Sequence, residues 1–193
     1  MKRMFVFLSL VCITAGAVSC KNKKQIVVDS TTAEAAEEKP DFFPVTNYIK
    51  GQLSQIRTNP LKYTTIQGKT DSVWVQKEDF NNVFAEFLSP QIDSATMEPY
   101  FKETKFADKT IGTYTFTYEP KKTLPADLSL MRWDVYIDTL SGNVSSIYME
   151  KKKAGKTLQM IWQDNASCKI VYIGNDKKDS PVIEKEELIK WDY

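Results

Sequence analysis

Residues 113–118 read TYTFTY and residues 132–138 read RWDVYID, and the alternation in these two stretches decides the fold. Tyr114, Phe116 and Tyr118 alternate with Thr113, Thr115 and Thr117. Trp133, Val135 and Ile137 alternate with Arg132, Asp134, Tyr136 and Asp138. A period of two with one apolar side is the pattern of a strand with one buried and one wet face. The period recurs downstream in Val144 to Lys151, Thr157 to Gln163, Cys168 to Ile173 and Val182 to Tyr193. Ser141-Gly142-Asn143, Ala154-Gly155, Asp164-Asn165-Ala166 and Gly174-Asn175-Asp176 separate these runs as turns. Six strands at hairpin spacing predict an antiparallel meander.

Working back towards the N-terminus, the period becomes helical. Val45, Tyr48, Ile49, Leu53 and Ile56 share one face of a first helix, which Asn59-Pro60 stops. Leu61 to Gln67 and Val73 to Lys77 are strand-like around a turn at 68–72. A second helix over Lys77 to Leu88 places Phe80, Val83, Phe84 and Phe87 on one side. Ser94 is the candidate cap of a third, carrying Met97, Tyr100 and Phe101. The fold class is therefore α+β: N-terminal helices on an antiparallel meander of about six to eight strands, with a half-barrel as the curved version. A closed barrel requires the 61–77 hairpin to join the sheet.

Composition excludes several activities. The 193 residues carry 26 Lys and Arg against 25 Asp and Glu and no histidine. Near-neutral charge argues against nucleic acid as a partner. Lack of histidine removes Ser-His-Asp and Cys-His catalysis and every histidine metal site. No residue pattern calls for a cofactor. Gly155-Lys156-Thr157 and Gly68-Lys69-Thr70 imitate the end of a phosphate loop, but Glu150 and Tyr63 stand where its first glycine belongs.

Residues 1–19 have the layout of a secretory signal: Lys2 and Arg3, then an apolar run from Met4 to Val18 that is too short to span a bilayer. The run ends in Ala17-Val18-Ser19-Cys20, and here the chain resembles the bacterial lipoproteins, although Ala17 stands where that class usually has Leu. The resemblance implies cleavage before Cys20, lipidation of Cys20 and attachment to a membrane of the cell envelope. Residues 20–40 then form a polar tether without aromatic residues, and 41–193 form one globular domain. Lys21 and Asn22 lack the acidic cluster that resembles surface-export signals, so the domain is expected to face the periplasm.

Candidate sites within the domain are few. Asp134 with Asp138, and Glu184 with Glu186, are acidic pairs of the kind a histidine-free hydrolase would use. Cys168 has no histidine to activate it, and reads as a buried spectator. Lys151, Lys152, Lys153 and Lys156 read as a solvated basic hairpin. Trp133, Trp162, Tyr114 and Phe116 either fill the core or line a groove for an apolar ligand, as in the half-barrel lipid carriers to which the predicted architecture is similar. Ser30, Ser94 and Thr139 each follow an aspartate in a triplet resembling a short bacterial O-glycosylation motif. The expected function is non-enzymatic binding or interaction, with an envelope protein as candidate partner. A lipid carrier and a carboxylate hydrolase are the alternatives.

Overall fold

The computed structural model describes residues 41–191. Its centre is one antiparallel sheet of nine strands. These are β1 (Leu61–Ile66), β2 (Lys69–Trp74), β3 (Phe101–Asp108), β4 (Thr113–Pro120), β5 (Leu130–Asp138), β6 (Val144–Lys153), β7 (Lys156–Gln163), β8 (Ser167–Asn175) and β9 (Pro181–Lys190). Their order is β2-β1-β9-β8-β7-β6-β5-β4-β3, so β3 to β9 form a meander and the β1–β2 hairpin joins beyond β9. The sheet has two edges, β2 and β3, and does not close into a barrel.

The six strands with a clear period are all present. The register aligns Trp133 with Met149, Met149 with Met160 and Met160 with Ile170, so one side of the sheet is continuously apolar. Leu158, Met160 and Trp162 on β7 are buried, while Gln159, Ile161 and Gln163 between them are exposed.

Three expectations need correction. The sheet has nine strands rather than six to eight, because Phe101 starts strand β3 instead of ending a helix. The β1–β2 turn is Gln67-Gly68 rather than 68–72, and both residues have positive φ. A two-residue turn of that kind matches strand twist, and glycine enters it without strain. The third helix is only Ser94–Met97, and its cap is Asp93, whose side chain accepts from the Thr96 amide.

Helices cover part of the apolar side. In α1 (Val45–Gln55), Val45, Ile49 and Leu53 are buried at helical spacing. The predicted second helix is a short 3₁₀ turn (Lys77–Asp79) followed by α2 (Phe80–Val83) and α3 (Ala85–Leu88). Phe84 and Phe87 set their rings edge-on against Trp162 at 5.9 and 5.4 Å. At the other end of the core, Tyr118 stacks on Trp133 at 4.5 Å, with Phe101 and Phe42 edge-on to it. Lys151 plugs the top of this layer. Its ammonium donates to the backbone carbonyls of Glu86 and Ser89, at the end of α3.

Candidate functional site

Across β5 to β8 the helix-facing positions are almost all apolar, but the pattern breaks at β9 and β1. Counting back from buried Ile189, the same side of β9 presents Glu187 and Lys185, and on β1 Lys62 lies opposite Ile189 and Thr64 opposite Glu187. Glu187 is the hub. It accepts from Lys62 Nζ at 2.7 Å, from the Tyr172 hydroxyl at 2.8 Å and from Lys185 Nζ at 3.4 Å. Burial pushes its carboxyl up, but the Lys62 ammonium and the Tyr172 hydroxyl outweigh this and hold it below the usual carboxylate range. Burial and the bond to Glu187 push the Tyr172 hydroxyl up, so it remains a donor at neutral pH. Lys185 also sits 3.9 Å from the centre of the Tyr172 ring.

Beside this network lies an open cleft of about 550 Å³ between α3 and the β1–β2 hairpin. Ile66, Leu158 and Tyr172 are its apolar and aromatic lining; Lys153, Lys156 and Lys185 are its ammonium groups. Glu86 pairs with Lys153 at 2.5 Å, and Glu184 pairs with Lys156. A β-bulge shapes this wall: Tyr172 opposes Lys185 and Ile173 opposes Ile183, leaving Glu184 as an extra residue. Glu184 and Lys185 therefore both line the cleft instead of pointing to opposite faces. Gly174 makes room for this, since a Cβ there would collide with the Glu184 carboxyl group.

Lys151 is tied to the cleft wall through Glu86. Its side chain is 1% exposed, 3.6 Å from the Glu86 carboxylate. Burial pulls its ammonium down to about 8 from the ordinary 10.5, against the opposing pull of Glu86. It is therefore a buried cation that ties down a helix end, and the reading of a solvated basic turn is corrected at this residue. A signal was present: Lys151 follows Met149 in the apolar register of β6.

The residues proposed as a ligand groove do not form one. Trp133 and Trp162 are 0% exposed and enclosed by aromatic rings, so they belong to the packed core. Tyr114 and Phe116 are half-buried near the β3 edge, edge-to-face at 5.1 Å, with Lys105 over the Phe116 ring. The acidic pairs are also separated in role. Asp134 is buried against Arg132 on the open face, and Asp138 binds the backbone amides and hydroxyl of its own turn at Leu140 and Ser141. Glu184 faces the cleft, whereas Glu186 pairs with Lys169 at 2.9 Å. Cys168 is buried, and burial pushes its thiol well above the ordinary value.

Of the modification triplets, Thr139 is exposed in the β5–β6 turn and donates to the Gly112 carbonyl. The Ser94 hydroxyl is already engaged: it accepts from the Phe42 amide at 2.6 Å and donates to Asp41. Cys20, Ser30 and the signal and tether of residues 1–40 lie outside the described residues. Among the described residues, no group of three or more His, Cys, Asp or Glu could hold a metal ion. Likewise among these residues, no helix is long and apolar enough to cross a membrane.

The architecture is thus an open nine-stranded antiparallel sheet with helices against part of one face and a charged cleft beside them. In comparisons with protein families, with curated proteins and with solved structures, nothing matches this chain.

Proposed function

We propose that this chain is a lipid-anchored binding module of the bacterial envelope, attached to a membrane through Cys20 and facing the periplasm, which takes its ligand in the cleft between α3 and the β1–β2 hairpin without transforming it. The observation that carries this reading is the change of character along one side of the sheet. Where helices cover it, that side is packed with aromatic and aliphatic groups; where they stop, it carries a satisfied ionic network beside an open cleft. Charged residues in an apolar register weaken a core, and such local departures concentrate at functional sites. A carboxylate that already accepts from three donors is a fixed charge suited to holding its surroundings in place. The charge-neutralised, scattered carboxylates give no support to a hydrolase, and the filled surroundings of Trp133 and Trp162 give none to an apolar carrier centred on them.

Two measurements test the reading. Cys20→Ser should block lipidation and release the domain in soluble form; a variant that stays on membranes through a high-salt wash refutes the anchor. Ile66→Asp places a third carboxylate on the cleft wall, beside Glu86 and Glu184, at a position that is 49% exposed. It should abolish binding of a cleft ligand while lowering stability by no more than about 2 kcal/mol, the cost of half an isoleucine's burial and of aspartate in a strand. Unchanged binding refutes the cleft.

A further inference from the structure

The charges around the cleft do not cancel. Lys153, Lys156 and Lys185 line it, and Lys62 and Lys151 share the carboxylates of Glu187 and Glu86 with Lys185 and Lys153. Three carboxylates, those of Glu86, Glu184 and Glu187, answer these five ammonium groups. On the adjoining β2, Lys69 and Asp71 offset each other on the same side of the sheet. The surplus therefore amounts to about two positive charges held around one cleft, in a chain whose basic and acidic residues are otherwise almost balanced.

The surplus is also within reach. The side chains of Lys153, Lys156 and Lys185 are 60, 44 and 33% exposed, each more than its own carboxylate partner, Glu86 at 24%, Glu184 at 36% and Glu187 at 12%. An entering anion thus finds three ammonium groups at the surface, each with N–H donors to spare beyond its single carboxylate partner. Ile66 adds the second requirement: a large aliphatic side chain on the helix-facing side of β1, left half-open where residues at the same level on β6 and β7 are covered.

We propose that the cleft binds a small organic anion with an apolar body, its carboxylate, sulfonate or phosphate among Lys153, Lys156 and Lys185 and its body against Ile66 and the Tyr172 ring. This rests on the cleft being the binding site. The ammonium groups supply charge-assisted hydrogen bonds to the anionic head. A cation of the same shape would enter against the excess positive charge, with Glu86 and Glu184 already paired to lysines. A neutral analogue would keep only the apolar contact.

The test uses the full lipidated chain in zwitterionic phospholipid nanodiscs, with empty nanodiscs as the blank. Calorimetry compares three soluble probes of matched shape: 2-naphthoate, 2-naphthylmethanol and 2-naphthylmethylammonium. The expected order is naphthoate tightest and the ammonium probe at least tenfold weaker. The double variant Lys153→Gln, Lys156→Gln, at two exposed positions, should lose about tenfold for naphthoate and little for the alcohol. Equal or tighter binding of the ammonium probe, or unchanged naphthoate affinity in the double variant, overturns the anion preference. If the alcohol still binds in an Ile66-dependent way, the cleft reading survives that loss. Failure of all three probes to bind overturns the anion proposal and counts against the cleft itself.

Discussion

Raising the pH from 7.5 to 9 should make this domain more stable, and Lys151 is the reason. Its ammonium is buried at the end of α3 and held down to about 8, while in the unfolded chain it titrates near 10.5. Between those values the unfolded state binds more protons than the folded one, so stability rises with pH. Below 8 both states are protonated and the burial penalty is fully present; above 8 the folded lysine sheds its charge and the penalty fades. From pH 8 to 9 the linkage relation gives a gain of about 1 kcal/mol, or roughly 2–4 °C in melting temperature for a domain of this size. Cys168 opposes part of this from about pH 8, because burial pushes its thiol up and only the unfolded chain ionises it there, at a cost of about 0.4–0.8 kcal/mol by pH 9. The raised tyrosines Tyr48, Tyr118 and Tyr172 act in the same opposing sense above 10. The informative window is therefore 7.5 to 9. Tryptophan fluorescence melts in that range, on the wild type and on Lys151→Met, isolate the effect, since the methionine removes the titration and leaves the thiol and tyrosines in place. The wild type should gain on the variant as pH rises. Parallel pH profiles for the two proteins would refute the assignment.

Other consequences can be measured alongside. Trp133→Ala and Trp162→Ala should each cost about 3–5 kcal/mol in urea unfolding, the range for removing a buried aromatic side chain. Among the described residues neither indole N–H has a hydrogen-bond partner, so Trp→Phe at either position relieves an unsatisfied donor and should cost less than about 1.5 kcal/mol; equal losses for Ala and Phe would contradict the packing. Cys168 should resist thiol reagents in the native domain and react at the rate of global unfolding, and rapid labelling in native buffer would show that it is not enclosed. If the chain carries an O-glycan at a described residue, Thr139 should hold it. Thr139→Ala then lowers the intact mass by that glycan and Ser94→Ala does not, whereas the reverse would mean that the bond between Ser94 and the Phe42 amide opens.

The strands from 113 onward were legible because each has one buried and one wet side, which writes burial into the sequence as a period of two. The strands at the two edges were not. β3 reads Phe101-Lys102-Glu103-Thr104-Lys105-Phe106, with charges on both faces, because much of it is open on both sides. All of β2 is exposed, so nothing in Lys69-Thr70-Asp71-Ser72-Val73-Trp74 had to alternate. The cleft was hidden for a different reason: its residues come from β1, α3, the β6–β7 hairpin, β8 and β9, and meet only through tertiary pairing. The trace it left was chemical. Lys185 and Glu187 precede Ile189 at even spacing, and Lys151 follows Met149, so three charges occupy positions that periodicity reserves for apolar groups. The aromatic residues were the misleading signal, since the tryptophans with the strongest claim to a ligand are those the core needs most.

The position of β9 sets the order in which this architecture can be completed. Leu61 pairs with Lys190, while β9 pairs on its other side with β8. The first hairpin of the domain therefore has no neighbour to join until the last strand arrives. Closing so long a loop costs entropy before any contact compensates it, which makes such topologies slow to assemble. During synthesis the β3–β8 meander can form while β1 and β2 wait outside it, and the cleft comes into existence only when the C-terminal strand is inserted between them. A chain shortened before Pro181 would lose Glu184, Lys185 and Glu187 with the strand that carries the hairpin, and with them Ile189 and Trp191, the latter the ring that packs on Phe84 and Trp162. Loss of this one strand therefore removes the cleft wall and the docking edge of the hairpin in a single step.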